Sequence, residues 1–157
     1  MSEEMKHYDR IWGNPDYNWP KQGYHYFAEE YKLNPHLDAG CGSGLVKSDV
    51  YVEISREALR RFKGQRVLAS VHALPFRDKV FESVSALELL EHIDEPLKAL
   101  DEMRRVTRKR LIISVPERGH HKDPTHKRDV DYYYYISNPS IVENRDHRWC
   151  IVECLSQ

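Results

Sequence analysis

Three glycines alternate over five positions in the segment Leu37–Gly44, which reads LDAGCGSG and follows a short apolar stretch. Glycine adopts positive φ without strain and lets a ligand lie directly against the backbone. After a β-strand, such a run forms a loop whose N–H groups face a ligand, although a plain structural turn is the alternative interpretation. The segment therefore favours an α/β fold with a binding loop after its first strand.

The spacing and the acidic residue of this segment restrict the ligand. The glycines follow the order G-x-G-x-G, whereas a dinucleotide pyrophosphate is accompanied by G-x-G-x-x-G. Asp38 lies two residues before the first glycine, so its carboxylate is expected to project beside the ligand. A carboxylate repels phosphate but suits an ammonium or sulfonium group. The pattern thus argues against a phosphate-binding loop.

Composition excludes several classes of protein. The 157 residues suit one domain, 1–157, and the net charge of −1 creates no overall field for nucleic acid or an anionic membrane. No apolar run approaches the length of a membrane span, and Met1–Glu4 does not resemble the start of a signal peptide. Cys41, Cys150 and Cys154 form no C-x-x-C pair, which indicates reduced thiols and a cytoplasmic protein.

The first 32 residues are predicted to form an aromatic N-terminal arm and a helix. Residues 1–19 are expected to be irregular, and their rings serve either as core packing or as a lid over a ligand site; they include Tyr8, Trp12, Tyr17 and Trp19. Lys21–Lys32 follows Pro20, which suits a first helical turn. Its aromatic residues recur at i, i+3 and i+7, which is typical of an amphipathic helix.

Strand and helix patterns alternate along the rest of the chain. The predicted strands are His36–Asp38, Val50–Ile54, Arg66–Val71, Phe81–Leu87 and Leu111–Val115. The predicted helices are Arg56–Phe62, capped by Ser55, and a helix capped by Asp94 that continues to about Thr107 with Leu97, Leu100 and Met103 on one face. This order predicts a doubly wound, mostly parallel sheet with helices on both faces. A terminal antiparallel hairpin is expected from Ile141–Glu143 and Trp149–Leu155 around the turn 144–147.

The first crossover is unusually short. Only residues 39–49 connect the first strand to the second, whereas a parallel crossover normally needs at least 10–12 residues including its helix. Because the glycine loop uses about half of this length, the first crossover helix is expected to be vestigial. The sheet face left thinly covered is then expected to be shielded by the aromatic arm or by a second copy in a homo-oligomer.

Four landmarks occur in a characteristic order. They are Asp38–Gly44, Glu53-Ile54-Ser55, His72–Phe76 and Leu90-Glu91-His92, followed by the Leu100–Arg105 helix and Ile112–Pro116. Together they resemble the class I, Rossmann-like S-adenosylmethionine-dependent methyltransferases, most of all the type 11 group that includes ubiquinone-precursor methyltransferases. The resemblance covers about Leu37–Glu117, half of the chain. It implies a cofactor-binding core over 36–116 and a substrate-side loop and hairpin over 117–157.

The resemblance also implies roles for individual residues. S-adenosylmethionine would be the cofactor and S-adenosylhomocysteine the product. The methionine part would touch the loop residues Gly40, Cys41 and Gly42, with Asp38 ordering a water or the amino group. The ribose hydroxyls would bind Glu53 beside Ile54, the adenine would lie near Ser70, Val71 and His72, and Ala86, Leu87 and Glu88 would line the methyl-donor side.

Two positions depart from the family pattern. The family usually has an acid where Ser70 stands, so a hydroxyl would have to reach the adenine amine. The usual Gly-Gly before the fifth strand is replaced by Thr107–Arg110.

Methyl transfer from a sulfonium is an in-line displacement, and a base is needed only when the acceptor must lose a proton. The candidate bases are His92 and His126, with His121 as a third, because histidine titrates near neutrality. The alternatives are a local helix-start contact for His92 and an ordinary loop position for His126. The histidines and Asp123 within 120–126 fit no zinc signature, so no metal is expected.

The methyl acceptor is less constrained. Nine Lys or Arg against two acids over Arg104–Arg128, followed by Tyr132–Tyr135, could contact phosphates and bases of a nucleic acid. Cations at a helix C-terminus are favourable without any ligand, however, and no D-P-P-[YF] motif is present. A small molecule or a protein side chain is favoured over nucleic acid. The alternative function is a non-catalytic Rossmann-like binding or assembly protein that retains the cofactor site.

Overall fold

The computed structural model describes residues 2–17, 20–120 and 123–156; Trp19, His121 and Lys122 lie outside this range. Its strands are β1 (His36–Ala39), β2 (Val50–Glu53), β3 (Gln65–Leu68), β4 (Phe81–Leu87), β5 (Thr107–Pro116), β6 (Ile141–Arg145) and β7 (Arg148–Cys154). The helices are α1 (Glu3–Gly13), α2 (Gly23–Tyr31), α3 (Arg56–Arg60) and α4 (Pro96–Val106), with a 3-10 turn at Tyr132–Tyr134. No described helix is both long enough and apolar enough to cross a bilayer.

All seven strands form one sheet in the order β3-β2-β1-β4-β5-β7-β6. The first five strands in this order are parallel to one another, and β7 pairs antiparallel with both β5 and β6. The predicted fold class, a doubly wound and mostly parallel sheet with a C-terminal antiparallel hairpin, is therefore confirmed. The strand order reverses between β1 and β4, which is where ligands bind in open α/β sheets.

Apolar side chains cover both faces of the sheet. On one face, α4 buries Leu100, Met103 and Val106 against strand residues such as Leu37 and Leu111. On the other face, α2 buries Phe27 and Ala28 in a cluster that includes Ile112 and Val152. Burial of such side chains, at roughly 1.5–3 kcal/mol each, is the main force that holds the two helices on the sheet.

Several predicted boundaries were wrong. The third strand ends at Leu68, because the next residues turn, with the Ala73 N–H donating to the Ser70 carbonyl. Asp94 does not cap α4: its carboxylate pairs with Lys127 at 2.7 Å, and Pro96 begins the helix with its φ already set. Leu97 is 45% exposed, since the buried face of α4 follows the i, i+3, i+4, i+7 spacing from Pro96 instead.

The N-terminal arm was predicted to be irregular, and this was wrong for most of its length. Ser2 caps α1 by accepting a hydrogen bond from the Met5 N–H at 3.1 Å. Acidic residues in the first turn and Arg10 in the last turn complement the helix dipole. The turn formers begin only at Gly13, where the helix ends. Helix α2 likewise begins at Gly23, after Pro20, with the Gln22 N–H donating to His25 Nδ1.

The first crossover contains no helix between β1 and β2, which confirms the predicted shortening. Val46, from the middle of this connection, is buried against α2. The Lys47 N–H donates to Glu29 of α2 at 2.8 Å. Helix α2 therefore covers much of the face that a normal crossover helix would occupy, whereas α1 packs mainly against α3. The homo-oligomer expected from the shortening stays a prediction.

The terminal hairpin turns at two residues, Asp146 and His147, which have φ values of 55° and 60°. Two positive φ values in succession are the type I′ geometry that matches the twist of antiparallel strands. The Asp146 carboxylate also accepts a hydrogen bond from the Gly23 N–H at 3.0 Å. The turn thus connects β6 to β7 and also fixes the start of α2.

Candidate functional site

A cavity of about 800 Å³ opens at the carboxyl ends of β1, β2 and β4, beneath α1. This size is within the usual range for small-ligand sites. Its wall contains ten of the eleven residues predicted to bind a cofactor, namely Gly40, Cys41, Gly42, Glu53, Ile54, Ser70, Val71, His72, Leu87 and Glu88. Both predicted catalytic histidines, His92 and His126, also line it. Residues far apart in the sequence therefore converge on one space.

The glycine loop forms the floor beside β1. The N–H groups of Gly40 and Cys41 donate to the Val52 carbonyl, at 2.9 and 3.1 Å, which holds the loop against β2. Gly42 has a φ of +51°, and a Cβ at this position would lie 2.7 Å from the Trp12 ring. The absence of a side chain at Gly42 is therefore what allows α1 to close over the loop.

Glu53 joins the glycine loop to the end of β2. Its carboxylate accepts hydrogen bonds from the N–H groups of Gly42 at 3.0 Å, Ile54 at 2.8 Å and Ser55 at 3.1 Å. Burial raises the pKa of Glu53, and these three N–H groups oppose that rise. A carboxylate has about four lone-pair sites, so one more acceptor direction is still available to a ligand.

Asp38 lies elsewhere than expected, because it does not line the cavity. Its carboxylate is buried in the face of the sheet and accepts a hydrogen bond from Ser85 Oγ at 2.7 Å. Ser85 also contacts His36 Nε2 at 3.1 Å, and His36 Nδ1 lies 2.7 Å from Ser83. Burial raises the pKa of Asp38 to about 7. Asp38 is therefore part of a polar network within the sheet, between β1 and β4.

The wall next to β3 carries the residues predicted for an adenine. Ser70 Oγ lies 3.1 Å from His72 Nδ1 and accepts the His72 N–H at 3.3 Å, which holds the two side chains together. His72 Nε2 is buried and has no hydrogen-bond partner within the described part of the chain. One ring nitrogen at this wall is thus left for a ligand.

At the end of β4, Leu87 and Glu88 line the cavity, whereas the neighbouring Ala86 is packed in the core and does not reach it. Glu88 has a φ of +50°. Its carboxylate accepts hydrogen bonds from Ser114 Oγ at 2.9 Å and from Arg148 Nε at 2.8 Å. Burial raises the pKa of Glu88, and Arg148 opposes the rise.

The two candidate bases, His92 and His126, lie next to each other in the cavity wall. The rings of His92 and His126 meet edge to face with centroids 4.7 Å apart. His92 Nδ1 lies 3.0 Å from Thr125 Oγ1. Burial lowers the pKa of His92 to about 4, and burial also lowers the pKa of His126. The third candidate, His121, lies outside the described residues.

Sequence reasoning missed part of the site. Helix α1 contributes Tyr8, Ile11 and Trp12 to the cavity wall, which agrees with the lid interpretation of the aromatic arm although its helical form was not predicted. Arg148 of β7 reaches the cavity with its guanidinium 5.0 Å from the Tyr24 ring. No local pattern indicated this position of Arg148, because it depends on how the hairpin pairs with β5.

Replacing Gly42 with alanine is expected to lower the free energy of unfolding by about 1–3 kcal/mol, because the new Cβ would meet Trp12 and positive φ is unfavourable for alanine. Gly119→Ala is the matched control, since Gly119 also has positive φ but nothing lies within 4 Å of its Cβ position. Urea unfolding of both variants measures the difference. Equal losses would show that Trp12 does not press on the loop.

The fold and the cavity define the class of protein. A sheet of this strand order, with a glycine loop after β1 and an acid at the end of β2, is a Rossmann-like domain. Its cavity lies at the topological switch point, where open α/β sheets bind their ligands. The comparisons with known proteins then narrow this class.

The family described as "Methyltransferase domain" matches residues 37–113. The chain is 31% identical over 109 residues to the demethylmenaquinone methyltransferase of Clavibacter sepedonicus, covering 67% of this chain and 44% of that protein. It is 39% identical over 89 residues to a Methanocaldococcus jannaschii protein of undetermined function, covering 50% of this chain and 39% of that protein. The match thus spans less than half the length of either relative.

A solved structure supports the same fold. The S-adenosylmethionine-dependent methyltransferase of Aquifex aeolicus superposes with a TM-score of 0.68 at 15% identity, over 86% of this chain and 90% of that one. Residues 37–113 therefore form a methyltransferase domain, and the chain has the fold of the class I, Rossmann-like S-adenosylmethionine-dependent methyltransferases.

Proposed function

We propose that this chain binds S-adenosylmethionine in the cavity beneath α1 and transfers its methyl group by direct in-line displacement. The observation that carries the proposal is the convergence of the glycine loop, Glu53 and the Ser70–His72 segment on one cavity of about 800 Å³. Each of these elements comes from a different strand end, and a nucleoside with an amino-acid tail needs all three.

The chemistry of the wall suits a cationic nucleoside. Glu53 has a free acceptor direction for ribose hydroxyls, and His72 Nε2 is available to the edge of a base. Glu88, which is paired with Arg148, and Asp123 both line the cavity, and the carboxylate of Asp123 favours a sulfonium over a phosphate chain. The protein's main contribution to the reaction would be to hold the acceptor in line with the methyl group and to exclude water.

We favour a small molecule or a protein side chain as the acceptor over a nucleic acid. Five of the nine cations that suggested phosphate contacts form ion pairs: Arg104 with Glu153, Arg105 with Glu102, Arg108 and Lys109 with Glu82, and Lys127 with Asp94. Of the tyrosine run, only Tyr133 and Tyr134 are exposed. These ion pairs would have to be broken before the basic segment could bind a phosphate backbone.

Calorimetric titration of the protein with S-adenosylmethionine and S-adenosylhomocysteine tests the proposal. We expect one binding site for each compound. If neither binds, the methyltransferase proposal is wrong. Incubation with labelled-methyl cofactor and cell extract then identifies the acceptor. Binding without transfer to any acceptor would favour the alternative, a non-catalytic binding protein.

A further inference from the structure

Three potential metal ligands meet at the wall of the cavity. The ligand atoms of Glu91, His92 and His126 all lie within 4.8 Å of one another. The two histidines face the cavity, and Glu91 lies next to them without reaching its surface. The proposed role of the histidines as bases does not account for this carboxylate.

Glu91 is the unusual member of the cluster. Its side chain is 2% exposed, and neither carboxylate oxygen has a hydrogen-bond partner in the described part of the chain. Buried carboxylates are normally paired or coordinate a metal, since leaving them uncompensated is costly. His92 Nε2 lies 3.8 Å from Glu91 Oε1, which is close but beyond hydrogen-bond distance.

The surrounding hydrogen bonds fix which nitrogen of His92 carries its proton. Thr125 Oγ1 donates its one proton to Asp123 Oδ1 at 2.6 Å. It therefore accepts from His92 Nδ1, at 3.0 Å. In the neutral ring, Nε2 then has no proton, and it lies 3.8 Å from Glu91 Oε1. A proton on the carboxyl group would satisfy this pair, but a cation would also engage His126, whose ligand atom lies within 4.8 Å of both.

We propose that Glu91, His92 and His126 bind a divalent transition-metal ion of the zinc class at the wall of the cavity. Two imidazoles and one carboxylate suit zinc, iron or cobalt better than magnesium or calcium. Ligand atoms around zinc stand about 3.3 Å apart when the bonds are about 2.0 Å. The Glu91–His92 pair, at 3.8 Å, would have to close by about 0.5 Å, and no pair in the cluster by more than about 1.5 Å.

The contacts around His92 resemble those that orient metal ligands. Metal-bound histidines commonly donate their other ring N–H to a nearby oxygen, such as that of a carboxylate, a backbone carbonyl or a water. The chain from His92 through Thr125 to Asp123 has this arrangement. With three protein ligands at the cavity wall, a four-coordinate zinc ion would keep one position for water or for an oxygen of a bound molecule.

The inference adds to the proposed function but does not depend on it. If the metal binds, His92 and His126 are ligands and not free bases, and an acceptor would be activated by the ion instead. Metal binding and cofactor binding can each be measured without the other.

The test uses the full chain, stripped with a chelator and dialysed. Zn²⁺ is titrated by calorimetry, and Co²⁺ is followed by its visible absorption. We expect one equivalent of each ion, with His126→Ala and Glu91→Gln each weakening binding at least about tenfold. His126→Ala keeps the test decisive if the buried Glu91 variant does not fold.

The matched control is His147→Ala. His147 belongs to a second, exposed cluster with Glu117 and His120, which is the obvious place for adventitious binding. This control should bind Zn²⁺ as the unmodified protein does. The inference is overturned if the unmodified protein binds no Zn²⁺, or if His147→Ala removes binding and His126→Ala does not. Zinc binding without S-adenosylmethionine binding would leave the inference standing and refute the proposed function.

Discussion

Replacing Glu53 with alanine is expected to weaken S-adenosylmethionine binding by about 1–3 kcal/mol, which is roughly tenfold to a hundredfold in Kd. The loss has two causes. A charged acceptor for the ribose hydroxyls disappears, and the Gly42 N–H loses the partner that holds the glycine loop in place. Calorimetric titration measures the change directly.

Glu82→Ala is the matched control for this experiment. Glu82 is also an acid on a strand, and it pairs with Arg108 and Lys109, both at 2.9 Å. It lies near the start of β4, however, whereas the cavity opens at the carboxyl ends of the strands. Its loss should leave cofactor affinity unchanged. An unchanged Kd for Glu53→Ala would mean that the ribose does not bind at this residue.

Replacing Asp38 with asparagine is expected to stabilise the fold at pH 8 by about 2–4 kcal/mol, since the variant no longer buries an ionised carboxylate. Asparagine keeps an oxygen that can accept the hydrogen bond from Ser85. The pKa of Asp38 is about 7 in the folded protein and about 3.8 when the chain is unfolded. A raised folded pKa means that the carboxyl group's contribution to stability is complete below pH 3.8 and is lost as the pH rises to 7.

The gain from Asp38→Asn should therefore be near zero at pH 4 and largest above pH 7. Urea unfolding of both proteins at several pH values measures it, and comparison at each pH cancels the titration of the groups that they share. Asp101→Asn, at an exposed residue, is the control and should change little at any pH. A gain that does not vary with pH would show that Asp38 is not held protonated by burial.

Local patterns predicted the parallel part of the sheet well. The strands β1, β2 and β4 were recognised because short apolar or alternating segments end at turn residues, and β4 was predicted with its observed bounds. Helix α1 was missed because Tyr8 and Trp12 were read as an aromatic cluster, while the capping signal from Ser2 was not used. None of the side chains of α1 is buried, so its apolar periodicity was weak evidence.

The candidate site was predictable where its residues are close in sequence to a strand end. The glycine loop, Glu53 and Glu88 each follow directly from such a position. The displaced Asp38 was not predictable, because its partners His36, Ser83 and Ser85 become neighbours only through the register of β1 against β4. The meeting of Glu91 with His126 depends in the same way on how the loop after β5 folds back, with the Lys127 N–H donating to the Glu91 carbonyl.

The way in which α1 is attached has a consequence for kinetics. Its contacts include a hydrogen bond from Ser55 Oγ to Asp9 at 2.7 Å and the Trp12 ring on Gly42, with no fully buried side chain. Segments with few buried apolar contacts open at a small fraction of the free energy of global unfolding. The residence time of a molecule beneath α1 should therefore follow the opening rate of this one helix, and hydrogen exchange of its amides should slow when the cavity is filled.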